Sequence, residues 1–200
     1  MAKRTKAGIN SKLINEKISK SPEVRKAAYA KANEKFKKQK AKMINEFMAH
    51  PVTQEIQSGP SSTNLSGTLR GYGNLFSYIG FSVGSDPIGP ILSMMENVFS
   101  LSKRPKKVSV SSKNIRFMYN VIFPDMTDFE NVSSMPWEGG SWVSGIERRI
   151  SGYSHYMYKR ASASRSKTAI QTKTSIRSGP FKPMTYVSNI IKQFSAGIIR

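Results

Sequence analysis

The chain has no cysteine among its 200 residues. Disulfide scaffolds, thiol nucleophiles and zinc–thiolate sites are therefore excluded. Only two histidines are present, His50 and His155, and they stand far apart with no third partner suggested for either. With so few histidines, a metal site would have to be built from carboxylates. Asp125, Asp128 and Glu130 are the nearest approach, but they lack the glycine and terminal glutamate of a calcium loop. Acidic residues are scarce, 12 against 32 Lys and Arg, for a formal charge of +20. A chain this basic repels itself and attracts polyanions or acidic proteins. Long apolar runs are missing too. No stretch approaches the roughly 18 residues that a membrane span needs, and MAKRTKAGINSK lacks the apolar region of a secretory signal. Glu16 and Glu23 argue against a mitochondrial presequence.

Enzyme signatures are equally thin. Neither GxxxxGK[ST] nor GxSxG occurs. Gly71-Tyr72-Gly73 begins like a dinucleotide fingerprint, but Phe76 stands where the third glycine belongs. These glycines read as turn residues with positive φ, or else as points where another backbone comes close. His50, at the end of a helix, suits a C-terminal helix charge. His155, among tyrosines, reads as a packing residue. No pattern of a zinc finger, an RNA-binding RNP sequence or a coiled-coil heptad is found, so any nucleic acid would be gripped by its phosphates.

The hydrophobic share, 38%, is low for a globular chain and points to a modest core. Charge divides the sequence into three parts. Residues 1–49 hold 14 basic and 4 acidic residues and form a basic arm with a long amphipathic helix. Residues 50–159 are nearly balanced, with 10 basic and 8 acidic, and form an α+β body. Residues 160–200 hold 8 basic residues and no acidic ones, a basic segment with a closing helix.

Residues 1–20 read as a flexible arm or a frayed helix. Ser21-Pro22-Glu23 is a helix start, with the serine hydroxyl accepting from a free N–H and Pro22 at the first position. The spacing of Val24, Ala28, Ala32 and Phe36, continued by Ile44, Phe47 and Met48, predicts one helix from Pro22 to Ala49. Its lysines, among them Lys35, Lys37 and Lys38, are either a solvated face or contacts to an acidic or phosphate partner. His50-Pro51 breaks the helix, with one further turn over Val52–Ile56. Asn74–Phe81 is aromatic and reads as a buried strand. Ser85-Asp86-Pro87 caps a helix running over Pro90–Leu101.

Lys103-Arg104-Pro105-Lys106-Lys107 is a dense cationic cluster, resembling a nuclear import signal or a phosphate patch. It leads into a hairpin from Val108 to Phe123 that turns at Ser112-Lys113-Asn114. Pro124–Met135 reads as a loop. Glu138–Ser151 reads as a helix with Trp142, Ile146 and Ile150 inward and Glu147 outward. Tyr153–Tyr158 and Thr168–Ile176 read as strands, and Thr185 caps a last helix, Tyr186–Phe194. Arg165 and Lys167 lie in the basic segment between them and join the candidate phosphate contacts. No internal repeat is found. The order of elements predicts an α+β fold with a small, mostly antiparallel sheet flanked by helices.

HPVTQEI, SGTLRGYGNLFSYIGF with DPIGPI, MPWEGGSWVSGIERRISGYSHY and YVSNIIKQF together resemble structural proteins of the neck and tail of tailed bacteriophages, over about residues 40–195. The resemblance covers head–tail connector, tail-completion and tail-terminator types. It implies a non-enzymatic subunit of a homo-oligomeric ring around the DNA channel, in a virion assembled in the host cytoplasm. The implied neighbours are a portal or connector, or a tail tube or sheath, with non-specific contact to packaged DNA. No cofactor, metal, membrane contact or catalytic residue is implied. Pro51, Gly67, Gly71, Gly73 and Gly80 would shape the backbone, and Trp137, Gly139, Gly140 and Trp142 would form a turn and an anchor. The alternative, carried by charge alone, is a basic nucleic-acid-binding module of ribosomal or chromosome-associated type. An enzyme with an unrecognised site is a third.

Overall fold

The computed structural model describes residues 10–70, 73–136, 140–148, 155–158, 170–175 and 181–199, with residues 155–158 and 170–175 described by their backbone. The fold is α+β. Its helices are α1 (Ser11–Lys20), α2 (Pro22–Ala49), α3 (Pro51–Gln57), α4 (Leu75–Ile79), α5 (Gly89–Asn97), α6 (Met126–Val132), α7 (Trp142–Arg148) and α8 (Val187–Ile199). Its strands are β1 (Ser100–Val110), β2 (Ile115–Ile122), β3 (His155–Tyr158) and β4 (Ile170–Ser175). β1 pairs antiparallel with β2, and β3 with β4, as two separate two-stranded sheets.

By contact the chain forms two compact units. A cationic unit comprises Met1–Lys38 with Ser100–Ile122, and a core unit comprises Gln39–Phe99 with Phe123–Arg200. The boundary falls inside α2, so one continuous helix belongs to both. Division by charge runs along the chain, whereas contact brings the β1–β2 hairpin to the N-terminal helices.

In the cationic unit, α1 starts at Asn10, whose side chain accepts from Leu13 N–H. Its apolar residues Leu13, Ile14 and Ile18 remain exposed. The Asn15 amide donates to the Ser111 and Ser112 carbonyls, at 2.8 and 3.3 Å, tying α1 to the hairpin turn. Tyr29 of α2 meets Tyr119 of β2 edge to face, with ring centres 5.9 Å apart. The Ser21 hydroxyl does not accept from a backbone N–H as the sequence suggests. It donates to the Glu23 carboxylate, and that bond holds Glu23 below the usual carboxylate range.

The core unit holds 23 of the 24 buried apolar side chains among the described residues, Phe36 being the one in the cationic unit. The modest core implied by composition therefore describes only one of the two units. Tyr186, itself fully buried, lies at the centre of a ring cluster. Its ring centre is 5.7 Å from Phe47, 4.7 Å from His50 and 6.3 Å from Trp142, and its hydroxyl shares a 2.6 Å hydrogen bond with Thr53. Phe81 stands perpendicular to Trp142. The chain leaves this unit at Phe99 and re-enters it at Phe123, and both rings meet Phe194 of α8.

Four expectations about where elements lie need correction. Leu75–Ile79 is a helix, not a strand. Asn74 accepts from Ser77 N–H at 2.9 Å, and Gly80 closes the turn at φ 86°. All five residues are buried, so burial on every side produced a run that mimics a strand. Pro124–Met135 contains α6, started by Asp125 and Asp128 in a reciprocal capping box. The helix after Asp86 stops at Asn97, where Lys40 donates to the Glu96 and Phe99 carbonyls. Finally, α7 begins only after Ser141, whose hydroxyl accepts from Ser144 N–H, and Ile150 lies outside the described residues.

Candidate functional site

Three titratable side chains of the core unit, Glu55, Glu147 and His50, accept hydrogen bonds from backbone N–H groups. Glu55, on α3, is fully buried. Its carboxylate accepts from Ser66 N–H and Leu75 N–H, both at 2.7 Å, and from the Asn64 amide at 3.0 Å. These bonds hold both ends of the segment around Gly67 and Gly73. Glu147 is not turned outward. It accepts from Tyr186 N–H and Ser188 N–H at 3.1 and 2.8 Å, so α7 caps α8, while Thr185 is exposed. His50 does not supply a charge to the end of α2. Its Nδ1 accepts from Val52 N–H at 3.3 Å, so it caps α3 as a neutral ring, and burial pushes its pKa down against the raising effects of the Thr185 backbone and Glu147. Burial likewise pushes the Tyr186 phenol far up.

The backbone-shape residues fall as follows. Pro51 is the first residue of α3. Gly67, Gly73 and Gly80 have φ of 66°, 68° and 86°. At Gly67 and Gly73 an added Cβ would meet nothing within 4 Å, so their use is positive φ in a turn and not close approach. Trp142 is buried at the head of α7. Gly140 also has positive φ. Gly71, Trp137, Gly139, Tyr153, Arg165 and Lys167 lie outside the described residues, as do the side chains of His155, Tyr156 and Tyr158.

Among the carboxylates considered for a cation, Asp125 and Asp128 are occupied by their capping box, and Glu130 lies 3.6 Å from Arg148. Among the described residues no three His, Cys, Asp or Glu side chains are grouped to hold a metal ion. No described helix is long and apolar enough to cross a membrane.

The cationic unit has the opposite character. It carries 18 basic and 3 acidic residues, net +15, whereas the core unit carries 14 and 9, net +5. All fifteen of its described cations are exposed, including Lys35, Lys37 and Lys38 on α2. Six belong to the hairpin segment 100–122, which has no acidic residue: Lys103, Arg104, Lys106, Lys107, Lys113 and Arg116. Among the described residues no carboxylate lies within ion-pair distance of these six.

Strand geometry alone would hide some of them, because successive side chains point to opposite faces. Here the register shifts between Leu101 and Pro105, and again between Pro105 and Lys107. These bulges re-aim the strand. Lys103, Arg104, Lys106 and Lys107 are all exposed, and Pro105, paired with Tyr119, is the one half-buried residue of the five. Regular pairing then resumes as Lys107 with Met118 and Ser109 with Arg116. Because β2 alternates between exposed and half-buried, Arg116 and Met118 share the exposed face. The cationic string is readable in the sequence, but its exposure depends on bulges that only the pairing reveals. Glu55 and Glu147 carried no sequence signal beyond being acidic residues in or beside apolar helical segments.

Compared with protein-family models, with curated proteins and with solved structures, the chain finds no significant match.

Proposed function

We propose that this chain is a non-enzymatic structural protein of a phage neck or tail. In this reading it is a ring-forming subunit whose core unit builds the wall and whose cationic unit grips an adjoining anionic surface. The observation that carries the proposal is the separation of roles inside one chain. Packing is concentrated in a unit of net +5, and exposed charge in a unit of net +15 with a single buried apolar side chain among its described residues. Charges held in that way serve contact with another body more than internal stability. The commitment of Glu55, Glu147 and His50 to backbone caps supports a structural role for the core unit, since none of them is left to act as acid or base. The resemblance to neck and tail proteins supplies the virion setting. The neighbours are then the portal or connector, or the tail tube or sheath, and cyclic symmetry closes head-to-tail contacts into a ring.

The test is the mass of the purified chain in about 0.5 M salt, where surface attraction is screened, followed by its location in assembled particles. A closed ring, or a folded subunit that joins a ring with a virion partner, is the expected result. A compact monomer that stays monomeric beside every virion protein, with nucleic-acid affinity falling steeply with salt, would overturn it. That outcome would favour the basic nucleic-acid-binding module instead.

A further inference from the structure

We propose that the exposed surface of the β1–β2 hairpin is a binding site for the sugar–phosphate backbone of double-stranded DNA. The inference rests on reading the cationic unit as a contact surface, and it names what that surface contacts.

Three observations select this partner. The first is the composition of what the hairpin shows to solvent. Of 13 exposed residues between Ser100 and Ile122, six are cations, five are serine or asparagine, two are apolar and none is acidic. The centre of a protein–protein contact is depleted in charge, lysine above all, and is anchored by desolvated aromatic or apolar side chains. Met118 and Ile122 are too few to supply that centre. A face rich in Lys, Arg and hydrogen-bonding side chains matches the polar, positive character of protein–DNA contacts.

The second is where the aromatic rings go. Single strands are held by stacking their bases on exposed aromatic side chains. The rings of this hairpin, Phe117 and Tyr119, are on its half-buried face, and Tyr119 is engaged by Tyr29. No ring is offered to an unstacked base, whereas the phosphates of an intact duplex need none.

The third is the bulge. The paired register shifts around Pro105 place the four cations that flank it in solvent, where an unbroken strand would alternate them between faces. The hairpin is also held at two points along its length. Its turn is bonded to Asn15, and its middle packs on Tyr29. The cations are thus presented from a fixed platform, and less entropy is lost when phosphates bind.

The test uses the full chain and a random-sequence DNA duplex, titrated by fluorescence anisotropy across a salt series from about 50 to 200 mM. Replacing Lys103, Arg104, Lys106 and Lys107 together by Gln is expected to reduce the slope of log affinity against log salt by about 3 to 4, at about 0.9 per phosphate contact. A second variant removes the same charge from Lys12, Lys17, Lys26 and Lys31 of the helices, and is expected to change the slope by less than about 1. Equal losses in the two variants would show that only total charge matters and would overturn the proposal. So would equal affinity for the duplex, the matching single strand and polyglutamate, retained or lost together in the hairpin variant. If the hairpin variant fails to fold, lysine acetylation of the native chain decides. DNA is expected to protect Lys103, Lys106 and Lys107 more than Lys12 and Lys26, and uniform protection overturns the assignment. A hairpin variant that still assembles in 0.5 M salt but no longer binds DNA supports this site. One that assembles and binds DNA unchanged removes this site and leaves the structural role standing.

Discussion

The two units of this chain solve the problem of being folded in different ways. In the core unit, rings and aliphatic side chains from α3, α4, α5, α7 and α8 are buried, and the carboxylates of Glu55 and Glu147 are turned to backbone N–H groups. In the cationic unit, the strands contain no fully buried residue, and α1 buries only Ser19. Its order rests on the β1–β2 ladder with half-buried apolar residues on one face, on a few polar ties, on the Tyr29–Tyr119 pair and on its share of α2. The difference teaches that low average hydrophobicity can conceal an ordinary core joined to a region with scarcely any. Substitutions should therefore produce unequal effects in the two units.

The largest expected effect is in the core. Trp142→Ala removes a fully buried indole and is expected to cost about 3–5 kcal/mol, read from the urea midpoint of the core transition. Glu55→Gln follows at about 2–3 kcal/mol, because an amide cannot present acceptors to all three donors that the carboxylate satisfies. A loss below half a kcal/mol in either would show that the core unit is not what holds the molecule together. Tyr119→Ala is expected to cost about 1 kcal/mol, confined to the cationic unit. Hydrogen exchange should then quicken in α1 and the hairpin while α3 and α8 keep their protection. Equal quickening everywhere would mean that the two units unfold as one.

The smallest effect is a pH dependence. Burial disfavours the His50 imidazolium, so the unfolded chain binds the proton more readily than the folded one. Stability is then fully present above the unfolded value near 6.5, and is lost as pH falls through the lowered folded value. The loss is expected to stay under about 1 kcal/mol, since the ring is only half-buried and solvent screens it. His50→Asn, which keeps a capping acceptor, should flatten this part of the profile, and an unchanged profile would exclude His50 as its source.

The elements most readable from sequence were those with local punctuation. Ser21-Pro22 and His50-Pro51 bound α2 at both ends as expected, and Ser112-Lys113-Asn114 lies in the hairpin turn. Where tertiary burial outweighs local preference, the reading fails. NLFSYIGF carries the side chains of a strand, but Asn74 and Gly80 bracket one buried helical turn. α6 was missed because its capping box uses Asp at the third position, where Glu or Gln is the usual signal. For the candidate site, the cations are visible as a string of letters. That they all reach solvent, and that the hairpin joins the N-terminal helices, follows from bulges and long-range ties that leave no local trace.

Pro105 has one more consequence. Among the described residues β1 pairs with β2 alone, which leaves the outer edge of β1 open to recruit a strand from another chain. A proline without an N–H, two irregularities in the ladder and four like charges make that edge a poor template for further strands. Newly made copies crowded together would thus be kept from zipping into fibrils at this hairpin.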